Sequence, residues 1–109
     1  MLQRFKKKRV EVVVEAPALS RLLTALAKAE ASGWSVLPVN GGFGRSGPWE
    51  AKGMVGPASS MAMVLLVTDE DNLDAILEAV SGILARHIGI VTVSECEVLR
   101  PERFPSPDA

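Results

Sequence analysis

Hydrophobic positions in this chain switch between a period of two and a period near 3.6, and the switches mark its elements. Val10 to Glu15 reads Val-Glu-Val-Val-Val-Glu, a strand rich in β-branched residues. It places Val10, Val12 and Val14 on one face and Val13 on the other. Pro17 suits the first turn of a helix. Leu19, Leu22, Leu23 and Leu26 then fall on one apolar helical stripe. Gly33 stands where a C-terminal glycine would stop that helix. Residues 34–40 read as a second strand, and Pro38 removes a ladder donor, which favours an edge position. Residues 61–67 (Met-Ala-Met-Val-Leu-Leu-Val) form a third strand, apolar without alternation. Thr68 or Asp69 caps a second helix, whose positive N-terminal end suits Glu70 and Asp71. Leu73, Ile76, Leu77, Val80, Ile83 and Leu84 repeat the helical spacing. A short loop, residues 85–89, leads into a last strand from Ile90 to Leu99.

The order β-α-β-β-α-β predicts an α+β, ferredoxin-like domain, with two helices over one face of a four-stranded antiparallel sheet. The third strand is apolar on both faces, so something must cover the second face. Packing of sheets between subunits is one solution; folding of a long loop over the sheet is the other. That loop separates the second and third strands and opens with Gly41-Gly-Phe-Gly-Arg-Ser-Gly47. No helix follows it, and long loops inside small domains are usually functional or disordered. Glycines and one arginine at a strand end suit an anion held on backbone N–H groups.

Charge sharpens this picture. Arg4, Lys6, Lys7, Lys8 and Arg9 are five of the 12 basic residues, leaving seven against 13 acidic groups in residues 10–109. An acidic body would repel nucleic acid. Arg45, Lys52, Arg86, Arg100 and Arg103 lie in or beside loops and the C-terminal segment, which is compatible with an anion site and equally with loops that tolerate charge. The basic run at the start reads as a solvated arm. Cys96 is the single cysteine and His87 the single histidine. These exclude an internal disulfide and a Cys/His zinc site within one chain. Cys96 reads as a buried thiol, Trp34 as packing, and His87 as a surface histidine. No apolar run approaches the about 18–20 residues that span a bilayer, and no signal-peptide pattern opens the chain, so a cytoplasmic location is expected. No nucleophile–base pair stands out, so the protein is expected not to be an enzyme.

The segment Gly33-Trp-Ser-Val-Leu-Pro-Val-Asn-Gly-Gly-Phe-Gly-Arg45 resembles the second strand and T-loop entry of the PII signal-transduction family. Residues 85–104, with Ile88-Gly89 and Glu95-Cys-Glu-Val-Leu-Arg100, resemble that family's B-loop, last strand and C-terminal arginines. Gly-Phe-Gly-Arg alone is weak, but together with the element order and the Arg100/Arg103 pair it is far more specific. The resemblance covers residues 9–104 of one domain (1–109), with 43–60 as the T-loop and 101–109 as a tail. The doubled Gly41-Gly42 and the Cys-Glu-Val-Leu ending look most like the PII-like proteins of inorganic-carbon metabolism, the bicarbonate-transporter-associated and carboxysome-associated groups.

The resemblance implies a homotrimer with adenine-nucleotide sites between subunits. Gly33, Ser35 and the backbone of Leu66 would lie by the adenine. Gly42, Gly44 and Arg45 would meet the phosphates, while Arg86, Ile88 and Gly89 would form the B-loop lip. Arg100 and Arg103 would approach from the adjacent subunit. Bicarbonate would sit at the T-loop base on Gly41, Gly42, Phe43, Gly44 and Arg45. Trp49 would contact a partner, a transporter or a carboxysome-associated protein. No covalent cofactor and no metal are implied. Ser46 stands where typical PII proteins carry the Gln that helps hold a metal with 2-oxoglutarate, and the chain has no tyrosine for uridylylation. The B-loop is shorter and lacks the second glycine and lysine, which favours ADP or AMP over ATP; cAMP is a further candidate. Three other readings come into question. An RNA-recognition module would stack bases on sheet aromatics, and the first and third strands have none. A metal-tolerance relative of PII would need a ligand cluster. An acylphosphatase-like enzyme would need an anion-cradling loop after the first strand, where this chain has Glu15-Ala-Pro17.

Overall fold

The structure is a computed structural model that describes residues 2–44, 47–50 and 60–99, with the side chains of 44 and 47–50 outside that description. Arg45, Ser46, Lys52, Met54, Arg100, Arg103 and the tail therefore lie outside the described residues, as do the side chain of Trp49 and most of the 43–60 segment.

The first strand begins earlier than the valine alternation predicts. β1 spans Phe5–Glu15 and takes in the basic run. Lys6 to Lys8 are thus not a solvated arm: they lie within a central strand, and acidic residues from distant segments partner Lys7 and Lys8. Lys7 pairs with Asp69, Lys8 lies 3.2 Å from Glu70 and 3.1 Å from Glu95, and Arg9 lies 2.8 Å from Glu11. Hydrogen bonding to Glu95, and then to Glu70, raises the Lys8 pKa above the ordinary lysine value. The same hydrogen bond from Lys8 lowers that of Glu95.

A 3-10 turn (Ala16–Ala18) with Pro17 leads into α1 (Leu19–Lys28). The helix ends through a Schellman arrangement: Ala31 N–H donates to the Leu26 carbonyl and Glu30 N–H to that of Ala27, both at 3.0 Å. The left-handed residue of this cap is Glu30 (φ 62°), not the predicted Gly33. Asn72 donates to the Ala29 carbonyl at 3.0 Å and so ties the second helix to this cap.

β2 (Ser35–Val39) is followed by a feature the sequence did not announce. β3 (Gly41–Gly44) and β4 (Gly47–Glu50) form a separate two-stranded hairpin where an irregular loop was expected. β5 (Met61–Thr68), α2 (Glu70–Leu84) and β6 (Gly89–Val98) complete the predicted order. Asp69 is the N-cap of α2 by backbone position, but its carboxylate goes to Lys7 and not to the helix N–H groups.

The main sheet is antiparallel with order β2-β5-β1-β6, so β2 lies at an edge, as Pro38 requires. The helices cover one face. Val10, Val12, Val14, Val64 and Leu66 pack there against Leu22, Leu26, Ile76 and Val80. β5 does alternate in burial: Ala62, Val64, Leu66 and Thr68 are buried, while Met61, Met63, Leu65 and Val67 occupy the opposite face, half-buried. Trp34 precedes β2 and is exposed, so it does not pack in the core. Cys96 is half-buried on β6, opposite Lys7. No helix among the described residues is long and apolar enough to cross a membrane.

Candidate functional site

Antiparallel pairing places both glycine-bearing loops at one end of the sheet. Val39 pairs with Met61, Met61 with Glu15, and Val14 with Gly89. The exit of β2 towards Gly41 and the entry to β6 therefore share an end, as the topology predicts. They stand at opposite edges of it, however, with β5 and β1 between. At about 4.8 Å per strand, the two edges of one chain are roughly 14 Å apart.

The residues fall into three groups. Gly33, Ser35 and Leu66 lie on the β2 side. Ser35 pairs with Leu65, so Leu66 is a near neighbour across the ladder. The Leu66 side chain is buried in the core, which leaves only its backbone to face a ligand. A Cβ at Gly33 would meet nothing within 4 Å. No contact within the chain therefore requires glycine there.

Gly41, Gly42, Phe43 and Gly44 are the second group. They form β3, in register with Glu50, Trp49, Pro48 and Gly47. An antiparallel ladder consumes the N–H groups of alternate residues and directs the others away. While the hairpin is formed, half of these N–H groups are free for an anion, fewer than a fully open glycine loop would offer. Phe43 is 82% exposed.

The third group is the turn between α2 and β6. Arg86 is exposed, and its N–H donates to the Ile83 carbonyl at 3.1 Å as the helix unwinds. Ile88 presents an apolar side chain that is 69% exposed. Gly89 has a steric reason to be glycine: a Cβ there would lie 2.6 Å from the Val13 carbonyl oxygen and 2.6 Å from Leu84.

Glu15, at the end of β1, organises this turn, and sequence reasoning did not single it out. Its Oε2 accepts the Ile88 N–H at 2.9 Å and lies 3.1 Å from His87 Nδ1. Thus His87 is not a free surface histidine: its side chain is 18% exposed and that of Glu15 is 14% exposed. The adjacent Ala16 N–H donates to the Ser60 carbonyl at 3.0 Å, where the long connection re-enters the fold. Among the described residues, no group of three or more His, Cys, Asp or Glu side chains could hold a metal ion.

The fold has counterparts among solved structures. The fold is similar to that of CPII from Thiomonas intermedia K12, a nitrogen regulatory PII-like protein bound to ADP, AMP and bicarbonate. The TM-score is 0.84 at 22% identity, covering 95% of this chain and 98% of that one. CPII bound to ADP and bicarbonate gives a TM-score of 0.83 at 22% identity, with coverage of 96% and 100%. A PII-like signaling protein from Thermus thermophilus gives 0.78 at 18% identity, with coverage of 95% and 100%. No curated protein sequence matches the chain. At such identities the structural likeness establishes the fold alone. The sequence itself carries the assignment further: the family model described as nitrogen regulatory protein P-II matches residues 7–103, and the chain belongs to that family.

Proposed function

We propose that this protein is a non-enzymatic regulator that binds an adenine nucleotide, ADP or AMP, between the subunits of a trimer, together with bicarbonate. The observation that carries this reading is the placement of the Gly41–Gly44 segment and the 86–89 turn at one end of the sheet, in a chain of the P-II family. Glycine lets a backbone approach phosphate closely, and arginine adds bidentate, charge-assisted hydrogen bonds. In this reading Gly33, Ser35 and the Leu66 backbone face the adenine. Gly42, Gly44 and Arg45 meet the phosphates beside Arg86, Ile88 and Gly89, and Arg100 and Arg103 come from the neighbouring subunit. Bicarbonate takes the N–H groups of Gly41–Gly44 that the hairpin ladder leaves free. The CPII structures that this fold resembles contain ADP, AMP and bicarbonate, which supports the choice of ligands.

The apolar part of the outer face, Leu37, Met61, Met63, Leu65, Val13 and Ile90, supports the trimer, since burial against a neighbour would remove it from water. Ligand binding would then rearrange the 43–60 segment, including Trp49, and so alter the docking of a target protein in inorganic-carbon metabolism, at a membrane transporter or a carboxysome.

Calorimetry with ADP, AMP, cAMP and ATP, each with and without bicarbonate, tests the reading. Saturable ADP or AMP binding is expected, strengthened by bicarbonate and strongly weakened by Arg45→Ala. Absence of binding by every nucleotide at millimolar concentration would defeat it.

A further inference from the structure

Glu15 makes one contact more than a strand end needs. Its backbone N–H donates to the Ile88 carbonyl at 3.0 Å, and its carboxylate accepts the Ile88 N–H at 2.9 Å. Both polar groups of the Ile88 backbone are thereby taken by one residue. The same carboxylate oxygen lies 3.1 Å from His87 Nδ1, which anchors the ring as well. With its backbone held, Ile88 turns its side chain outward, where it is 69% exposed.

One position further on, the Ala16 N–H holds the Ser60 carbonyl at 3.0 Å. Residues 15 and 16 therefore grip both the turn before β6 and the return of the connection that begins at Gly41. The β1–β6 ladder itself runs from Phe5–Val98 to Val14–Gly89 without the Glu15 side chain, and Glu15 is no part of the core cluster. A carboxylate beside an anion site would repel the ligand unless its charge were engaged; here an imidazole and an N–H engage it.

We propose that Glu15 is a positioning residue for the nucleotide site: it fixes the 86–89 turn so that Arg86 and Ile88 face the ligand, and it holds that turn in register with the end of the long connection. The Ile88 N–H is then a structural donor spent on Glu15, and Arg86 and Ile88 meet the ligand through their side chains. This inference rests on the reading of the site under Proposed function.

The test uses the full-length protein and the variants Glu15→Ala, Glu15→Gln and His87→Ala. Amide hydrogen exchange at Ile88 is read without nucleotide, and ADP affinity is read by calorimetry. In Glu15→Ala, Ile88 exchange should accelerate and the ADP Kd should rise, each by about tenfold or more, because a charge-assisted bond is lost. Glu15→Gln keeps an acceptor and should restore most of the Ile88 protection and much of the affinity. That rescue separates positioning from a general loss of fold. His87→Ala should fall between wild type and Glu15→Ala. Unchanged Ile88 exchange in Glu15→Ala overturns the proposal, and so does unchanged ADP affinity where the wild type binds. A wild type that binds no nucleotide overturns the site reading and the positioning role together. If Glu15→Ala fails to fold, Glu15→Gln and His87→Ala decide: equal loss of affinity in Glu15→Gln and in a core variant overturns the proposal.

Discussion

Two neighbouring rows across the sheet are both apolar throughout and meet different surroundings. Val36, Val64, Val12 and Val91 lie side by side on the helix-covered face; Leu37, Met63, Val13 and Ile90 lie side by side on the other. In the first row the central Val12 and Val64 are fully buried, while Val36 at the edge is 44% exposed. In the second, Leu37 is 41% exposed and Ile90 is 60% exposed, with Met63 and Val13 half-buried between them. Both rows are hydrophobic enough for a core, yet the chain supplies helices for only one. The first row contributes to the domain's own core, and the second stays partly exposed among the described residues. Nucleotide sites between subunits would follow from the second row, whereas stability of the single chain follows from the first.

The largest expected effect comes from breaking the second row. Met63→Lys buries a charge in any assembly on that face while leaving the helix side untouched, so the assembly should dissociate to a folded monomer. Light scattering reads this directly, and an unchanged mass would mean the outer face is not the contact. Breaking the first row should cost stability without changing the mass. Leu22→Ala removes a fully buried side chain and should lower unfolding free energy by about 2–5 kcal/mol. Denaturant unfolding at matched subunit concentration would expose a smaller loss. Gly89→Ala sharpens the boundary of that face. Its new methyl would meet the Val13 carbonyl and Leu84, and overpacking of this kind costs about 1–3 kcal/mol; a neutral result would contradict the close approach of β6 to β1.

Smaller effects lie away from both rows. Glu30→Gly relieves a left-handed residue at the α1 cap and should stabilise the protein by about 1 kcal/mol; a lower melting temperature would mean that the Glu30 side chain contributes something its cap position does not explain. The least effect belongs to the exposed pair of Lys8 and Glu95. The raised Lys8 pKa gives a contribution present at neutral pH and lost as pH rises past the ordinary lysine range. The lowered Glu95 pKa gives one lost as pH falls below the ordinary glutamate range. Glu95→Gln should flatten the acid limb of the stability curve slightly, and superimposable curves would remove the pair as a contributor.

The covered row was legible in the sequence and the exposed one nearly so, for a simple reason. Valines at alternate positions and leucines at helical spacing state their own element and face, and the Val13 side of β1 was visible as the second face. What escaped was chemistry that depends on partners far along the chain. Lys7 and Lys8 look like part of a solvated arm until Asp69, Glu70 and Glu95 come alongside. Glu15 gives no local signal, because His87 and Ile88 lie more than 70 positions away. The β3–β4 hairpin escaped because glycine and proline are depleted in strands, so Gly41–Gly44 and Gly47–Pro48 argue against the pairing they form. The cap at Glu30 was missed for a related reason: Gly33 offered itself, but a non-glycine residue took the left-handed position.

Native mass spectrometry of the full-length protein with ADP present tests the central claim most directly. A species of three times the 11.6 kDa chain mass, carrying up to one ADP per subunit, is the predicted result. A nucleotide-free species at the mass of a single chain would contradict it.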